Sequence, residues 1–254
     1  MNPDFDRPFE IAKSDAVTRL DISMFKVEDA VNFILQRSDV LSDQSHSGRI
    51  TKAWSEGNSK PILDVAQSKG EDMIRRAIAF ILLEFEELKP LLTKLPKDKV
   101  ADIGCGYAVF DYFMARDFGS HVSLIDLEAT DNRHFGFEDK GAAYSNLDRA
   151  RQFLVANGVA QSQIATLNPN AVDVTDLRDI DIAVSFLSCG FHYPWQIYEA
   201  FFKTSVKPTG SIILDIRTRN SAAARTDLAL LGKVTSQGKL ARGRADRLWI
   251  EKTA

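Results

Sequence analysis

An apolar run that stops at an acid and two glycines, between positions 100 and 106, constrains the fold of this chain more than any other stretch. It reads Val-Ala-Asp-Ile-Gly-Cys-Gly. Such a run indicates a buried strand, a tight turn and then the first turn of a helix. Glycine suits this turn because a Cβ would block a left-handed backbone or the close approach of a ligand. We therefore expect a ligand site at Gly104 and Gly106.

A second strand pattern follows at a spacing that nucleoside-binding folds use. It covers residues 122–126 and ends in Asp126, 20 residues after Gly106. At this distance a carboxylate commonly accepts hydrogen bonds from ribose hydroxyls. A dinucleotide loop has a third small residue three positions after the second glycine, where the helix start accepts a pyrophosphate. Here that position is Val109, which favours a nucleoside cofactor without phosphates, although a lone glycine pair after a strand also occurs in unrelated α/β proteins.

From Val100 onward the pattern alternates between strand, turn and helix, which is typical of an α/β protein with a doubly wound, mostly parallel sheet. The segment at 181–189 is apolar nearly throughout, as a central parallel strand is. A helix is expected over 143–155. Further strands are expected at 164–167 and 211–216, and a closing antiparallel pair at 232–235 and 247–252.

Residues 1–98 read instead as an N-terminal helical segment or lid, which divides the chain into 1–98 and a ligand-binding domain at 99–254. A long helix ending near residue 92 has two apolar faces, so we expect it to be buried on two sides. Ser68 and Glu71 have the spacing of a capping box at its start, and Pro90 is expected to kink or end it. Trp54 is a candidate lid residue, with ordinary packing as the favoured alternative.

The glycine bend and Asp126 together resemble motif I and the acidic motif of class I S-adenosylmethionine-dependent methyltransferases. The resemblance covers about residues 100–252 and implies a Rossmann-like sheet of seven strands, S-adenosyl-L-methionine as cofactor and S-adenosyl-L-homocysteine as product. It also implies that Asp173 accepts a hydrogen bond from the adenine amino group. The full set of expected cofactor contacts is Asp102, Gly104, Cys105, Gly106, Asp126, Leu127, Asp173, Val174 and Ser185.

His192 is the candidate catalytic residue. Methyl transfer from a sulfonium mainly requires that acceptor, methyl and sulfur be held in line. A hydroxyl acceptor must also lose a proton, and histidine is the usual side chain for that. His192 stands just past the strand at 181–189, at the carboxyl edge of the sheet, and Tyr193 beside it could orient or stack on the acceptor. The alternatives for His192 are substrate binding without proton transfer and capping of a turn.

The long connection at 128–140 has no helical or strand periodicity. It carries two aromatic residues in a polar loop at the ligand-binding edge of the sheet, which suggests a substrate flap. Its expected substrate contacts are His134, Phe135 and Phe137. The equally weighted alternative is a variable surface loop whose aromatic residues anchor it to the core.

The segment at 185–194, with the flap and the helix start at 144–147, is similar to bacterial methyltransferases of polysaccharide and sugar-modifying pathways. This favours an O-methyltransferase that acts on a sugar or another small hydroxylated metabolite. A small-molecule N- or S-methyltransferase is the first alternative. A more distant one is an RNA-binding methyltransferase-like protein, or a fold relative that binds the cofactor without turnover. The chain lacks the Asn/Asp-Pro-Pro-Tyr and Pro-Cys motifs of enzymes that methylate base amino groups, glutamine or cytosine C5.

Composition excludes several partners. The net charge of -3 gives no general attraction to nucleic acid, although residues 217–252 hold nine Lys or Arg against three Asp or Glu, which could contact an acidic substrate.

Two cysteines are too few for a disulfide framework and fit a reducing cytoplasm. The four histidines show no metal-ligand spacing, and no metal is expected. No apolar run is long enough to span a membrane. The expected partner is a small acceptor molecule, and a homo-oligomer is compatible with the sequence.

Overall fold

The computed structural model describes residues 3–44, 47–127 and 145–253, and for residues 3–5 the backbone alone. Its N-terminal part is helical, as the apolar periodicity predicts. The helices there are α1 (Pro3–Ile11), α2 (Asp15–Thr18), α3 (Val27–Gln36), α4 (Ser47–Ser55) and α5 (Lys60–Leu92). Within the described residues, no helix is long and apolar enough to cross a membrane.

The remaining described residues form a seven-stranded sheet with flanking helices, which confirms the predicted fold class. Its order is β3-β2-β1-β4-β5-β7-β6, with the first five strands parallel and β7 antiparallel to both of its neighbours. The strands are β1 (Lys99–Ile103), β2 (His121–Ile125), β3 (Ile164–Leu167), β4 (Ile180–Ser185), β5 (Val206–Arg217), β6 (Gly232–Leu240) and β7 (Ala245–Lys252). The helices are α6 (Val109–Phe118), α7 (Leu147–Ala156), α8 (Glu199–Thr204) and α9 (Ser221–Leu228).

Three strands differ by several residues from their predicted bounds, and one of them, β6, continues to Leu240 instead of stopping at 235. β4 stops at Ser185 instead of continuing to 189, because Leu187 adopts a left-handed backbone with φ of 49° that no strand tolerates. β5 begins at Val206, five residues before the predicted start at 211. β1 and β4 are buried along nearly their whole length, since helices cover both faces of the centre of a parallel sheet.

One hydrophobic core joins the N-terminal helices to a face of the sheet. It contains Phe33 of α3, Ile78 and Phe85 of α5, Phe113 of α6 and Val184 of β4. Because α5 lies between the other N-terminal helices and α6, both of its apolar faces are buried, as predicted. The division of the chain at residue 98 stays a prediction.

The kink of α5 lies elsewhere than predicted. Lys69 has non-helical dihedral angles (φ -139°, ψ 19°), while Pro90 sits in the last turn and the helix continues to Leu92. Ser68 caps nothing, since its hydroxyl donates to the carbonyl of Asp64 one turn earlier. A serine that bonds back in this way is a known cause of helix bending.

Candidate active site

The glycine bend and Asp126 lie against each other at the carboxyl edge of β1 and β2. The two strands pair in parallel register up to Ile103 and Ile125, so the residues that follow them emerge at the same edge. Gly104 and Gly106 both have positive φ, 75° and 58°. The amide of Gly106 donates to Oδ2 of Asp126 at 2.8 Å. The structure thus brings together the two features on which the predicted cofactor site depends.

Two side chains that the sequence did not single out cover this bend. A Cβ on Gly104 would collide with the side chain of Ser188, and a Cβ on Gly106 would lie 3.1 Å from Oε1 of Gln36. Gln36 is the last residue of α3, so an N-terminal helix reaches over the bend. Part of the need for glycine is therefore the close approach of the protein's own side chains, which no local pattern reveals.

A cavity of about 130 Å³ lies between the bend, the turn after β4, and helices α3 and α5. It is smaller than the roughly 300 to 1,000 Å³ of ordinary ligand pockets. The side chain of Gln36 lies over Gly106 and narrows the approach to the bend. Among the predicted site residues, those that line the cavity are Asp102, Gly104, Cys105, Gly106, Asp126, His192 and Tyr193.

Other predicted contacts lie outside the cavity lining. Ser185 is fully buried, and its hydroxyl donates to the carbonyl of Ile103 at 2.6 Å and accepts from the amide of Cys189 at 2.9 Å. Its role in the structure is to join β1 to the turn after β4, which does not support a cofactor contact. Asp173 is exposed and accepts from the amide of Thr175 at 2.8 Å, so it caps a short 3₁₀ turn.

Val174 packs in the core on the other face of the sheet. Leu127 contributes its carbonyl to a hydrogen bond from the Ser145 hydroxyl at 3.2 Å. For Asp173, Val174 and Leu127 the predicted cofactor contact stays a prediction. The predicted flap residues, which are His134, Phe135 and Phe137, lie outside the described residues.

His192 and Tyr193 stand on a tight turn that begins at Ser188. The Ser188 carbonyl accepts from the amides of Phe191 and His192, at 3.0 and 2.8 Å, and Gly190 provides the left-handed residue that the turn needs, with φ of 87°. This turn directs His192, half-buried, to the cavity wall. Burial raises the pKa of Tyr193 well above its ordinary value, so its hydroxyl is a neutral donor. Cys189 is wholly buried, and burial raises the pKa of its thiol, as expected for a packing residue.

Several buried carboxyl groups line or adjoin the cavity. Asp102 lines it, and Asp111 of α6 lies beside Asp102 with no exposed surface. Oδ1 of Asp102 and both carboxyl oxygens of Asp111 lack a hydrogen-bond partner of normal geometry. Burial and the neighbouring carboxyls of Asp111 and Asp126 raise the pKa of Asp102 well above its ordinary value, and burial raises that of Asp111 to about 7. Three clustered carboxyls around the bend would be stabilised by a cationic ligand.

This pair predicts an effect of pH on stability. Since the pKa of Asp111 is raised from 3.8 to about 7, the folded protein holds a proton that the unfolded chain releases above about pH 4. The stabilisation that the protonated Asp111 contributes is therefore fully present below pH 3.8 and is lost as the pH rises through about 7. We expect Asp111→Asn, which cannot ionise, to be more stable than the unmodified protein above this window, with a difference that shrinks toward about pH 4. Urea unfolding across this range measures it.

Asp227→Asn makes the same chemical change on an exposed face of α9 and serves as the control. A difference for Asp111→Asn that stays constant across the pH range would show that Asp111 ionises alike in both states.

A buried hydrogen-bonded cluster attaches α3 to the residue after the bend. The Tyr107 hydroxyl donates to Oδ1 of Asp29 at 2.6 Å and accepts from Nδ2 of Asn32 at 2.9 Å. The Tyr107 ring also stacks on Phe33 at 4.5 Å between centroids. This cluster explains why Gln36, one turn further along α3, is held over Gly106. Trp54 on α4 packs against the core, in line with the favoured packing alternative.

No group of three or more His, Cys, Asp or Glu side chains in the described parts of the chain is arranged to hold a metal ion. His121 is exposed at the start of β2, away from the cavity lining.

No protein-family model matches the sequence, and no curated protein matches it. Solved structures do. SibL, an S-adenosylmethionine-dependent methyltransferase, matches 73% of this chain and 60% of its own, at 14% identity and a TM-score of 0.49. A precorrin-6y C5,15-methyltransferase from Geobacter metallireducens matches 68% of this chain and 87% of its own, at 14% identity and a TM-score of 0.46. A ribosomal protein L11 methylase from Lactobacillus delbrueckii matches 69% of this chain and 78% of its own, at 16% identity and a TM-score of 0.44.

Similarity this low carries no conclusion about substrate or activity, which has to come from the residues of the site. The observed sheet itself decides the fold. It has seven strands, one of them antiparallel to its neighbours, and a glycine bend after β1 that faces an acid after β2. The chain has the Rossmann-like methyltransferase fold that the sequence resemblance implies.

Proposed function

We propose that this protein is an S-adenosyl-L-methionine-dependent methyltransferase that moves a methyl group to a hydroxyl of a sugar or another small metabolite. The observation that carries the proposal is the hydrogen bond from the Gly106 amide to Asp126, which places a carboxylate beside a left-handed glycine bend. The acid-rich surroundings of this bend also suit a ligand with a positively charged sulfonium and amino group.

The site residues have distinct roles in this proposal. Asp126 accepts hydrogen bonds from the ribose hydroxyls, in addition to the one from Gly106. Asp102 lines the cavity, and a positively charged ligand beside it would favour the ionised form of its carboxyl, which would in turn stabilise that charge. The cofactor itself would supply a methyl group on a sulfonium, which is a good leaving group, and would end as S-adenosyl-L-homocysteine. The protein's main task is then to hold the acceptor at near-attack distance and to exclude water.

His192 would act as the general base. It lines the same cavity as the bend, and its turn is fixed by backbone hydrogen bonds to Ser188. As the acceptor oxygen attacks the methyl carbon, the imidazole takes the hydroxyl proton, so the ether product leaves neutral. Tyr193, kept neutral by burial, donates toward the acceptor or to Ser188, whose Oγ lies 3.4 Å from its hydroxyl.

A small-molecule N- or S-methyltransferase is the alternative that the same cavity allows, since such acceptors do not need His192 as a base. The small volume of the cavity between α3, α5 and the bend favours a small acceptor over a nucleic acid. We therefore place an RNA-binding role behind both small-molecule roles.

Calorimetric titration of the pure protein with S-adenosyl-L-methionine and S-adenosyl-L-homocysteine tests the proposal. We expect binding to the unmodified protein and about 10- to 100-fold weaker binding to Asp126→Ala, because hydrogen bonds to a charged group are lost. Asp126→Asn keeps an acceptor for the Gly106 amide and loses only the charge, so it separates cofactor contact from support of the bend. Asp176→Ala, at an exposed acid, is the control and should bind normally. Absence of any uptake by the unmodified protein would overturn the proposal.

A further inference from the structure

Two arginines meet at the carboxyl end of β5, next to the turn that carries His192. Arg217 is the last residue of β5, and its Nε donates to the carbonyl of Phe191 at 2.8 Å. Its guanidinium carbon lies 4.5 Å from the centre of the Phe191 ring. That ring in turn meets the ring of His192 edge to face, with 5.0 Å between centroids. Arg217 is therefore separated from the proposed base by a single aromatic ring.

Arg244 is held beside Arg217 by the turn between β6 and β7. Arg217 pairs with Ala245 in the antiparallel ladder, and the amide of Thr218 donates to the Arg244 carbonyl at 2.8 Å. The Thr218 hydroxyl donates to the Gly243 carbonyl, also at 2.8 Å. Within this turn, Ala241 and Arg242 have φ of 48° and 58°, an unfavourable conformation for residues with a Cβ. Such strain persists where surrounding contacts hold it, and it is common at ligand sites.

Arg217 and Arg244 bring two positive charges together at this edge, whereas Arg242 of the same turn is paired with Asp39. Among the described residues, neither Arg217 nor Arg244 forms an ion pair with a carboxylate, and the described contacts of their side chains are to carbonyl groups and the Phe191 ring. Burial and the nearby positive charges of Arg219 and Arg244 lower the pKa of Arg217. Like charges held together in this way are stabilised when an anion binds between them.

We propose that Arg217 and Arg244 form a subsite for a phosphate group carried by the methyl acceptor, so that the acceptor is a phosphorylated hydroxyl compound such as a sugar phosphate. The assignment of the anion to a methyl acceptor rests on the proposed function. Phosphate and carboxylate both match the planar guanidinium fork through two parallel hydrogen bonds, and a phosphate ester has three terminal oxygens, enough for both arginines. Arg217 packs on Phe191, the residue before His192, and the backbone of Arg244 is bonded to Thr218, the residue after Arg217, so we favour a small phosphate ester that reaches from these arginines toward His192.

Calorimetric titration with inorganic phosphate, glucose 1-phosphate and glucose tests this subsite in the full chain. We expect both phosphates to bind, glucose to bind at least tenfold more weakly than its phosphate, and the affinity to fall as salt rises. Arg244→Gln should weaken phosphate binding by about 10- to 100-fold, because a hydrogen bond to a charged group is lost. Arg244→Lys keeps the charge without the fork and should lie between the two. Arg225→Gln, at an exposed arginine of α9, is the matched control and should bind phosphate normally.

Equal phosphate binding by Arg244→Gln and the unmodified protein would overturn the subsite. So would a single-stranded oligonucleotide that binds through Arg244 more tightly than glucose 1-phosphate, since that result indicates an RNA surface. Titration with S-adenosyl-L-homocysteine keeps the two proposals apart. If S-adenosyl-L-homocysteine binds both the unmodified protein and Arg244→Gln while neither protein binds phosphate, only the subsite proposal fails. If S-adenosyl-L-homocysteine does not bind the unmodified protein, the proposed function fails, whether or not phosphate binds.

Discussion

Asp215→Ala is expected to lower the free energy of unfolding by about 3 to 5 kcal/mol, because it removes the bidentate partner of a buried guanidinium. Asp215 is fully buried in β5, and Arg247 of β7 is 3% exposed. Their contact is bidentate, with Nε to Oδ1 at 2.7 Å and Nη2 to Oδ2 at 2.8 Å. Oδ2 of Asp215 also accepts from the amide of Leu187 at 3.2 Å. Urea unfolding at neutral pH measures the loss.

The effect should be large because the pair is part of a longer buried network. Nη2 of Arg247 lies 3.7 Å from Glu84 of α5, and Glu84 accepts from Arg37 at 2.7 and 3.2 Å. Phe186 covers Arg247, with 4.3 Å from the guanidinium carbon to the ring centre. The network therefore connects the sheet to both the N-terminal helices and the turn before His192. Loss of Asp215 would loosen that turn as well as destabilise the fold.

Two comparisons make this prediction specific. Asp15→Ala removes an exposed ion pair with Arg19, and it should cost no more than about 1 kcal/mol. The double variant Asp215→Leu with Arg247→Met replaces the buried charges by apolar groups, and it should recover most of the stability lost in Asp215→Ala. A loss below about 1 kcal/mol in Asp215→Ala would mean that water reaches and solvates Arg247 in the variant.

The contrast between this network and the glycine bend shows what the sequence can predict. The bend, Asp126 and the strands before them are local patterns, because a strand, its turn and the acid at its end are adjacent in the chain. Parallel pairing of β1 with β2 then brings Gly106 to Asp126 without further information. The order of strands along the chain predicts the fold for the same reason.

Contacts between distant elements leave no such pattern. Gln36 over Gly106 and the series from Arg37 through Glu84 to Arg247 join residues far apart in the chain, and each alone reads as an ordinary surface residue. Ser185 shows a second limit. Its place at the end of a central strand predicts a cofactor contact, and the sequence gives no sign of the two buried hydrogen bonds that its hydroxyl makes within the protein. A polar residue at a strand end can have a structural role, and its hydrogen-bond partners in the folded protein show whether it does.

His192→Ala is expected to lower kcat by about 10²- to 10⁴-fold for a hydroxyl acceptor, which is the usual contribution of a general base. The affinity for S-adenosyl-L-homocysteine should remain within about threefold of normal, because the proposed contacts to the nucleoside come from the bend and Asp126. Single-turnover methyl transfer to the acceptor that gains a methyl group in a metabolite panel, followed by mass spectrometry, measures the rate. His192→Gln keeps a hydrogen-bonding side chain of similar reach and should be as slow as the alanine variant.

The pair of variants distinguishes the proposed role from its alternatives. If His192 only positions the acceptor, His192→Gln should retain most of the activity that His192→Ala loses, and KM should change more than kcat. If the acceptor is an amine or a thiol that is already deprotonated, both variants should keep kcat within about tenfold of normal, since no proton is removed in the step. The side chain of His192 lines the cavity in a turn fixed by backbone bonds to Ser188, so neither variant should disturb the fold. A large loss in kcat with unchanged cofactor affinity in both variants is therefore the result that identifies a hydroxyl acceptor.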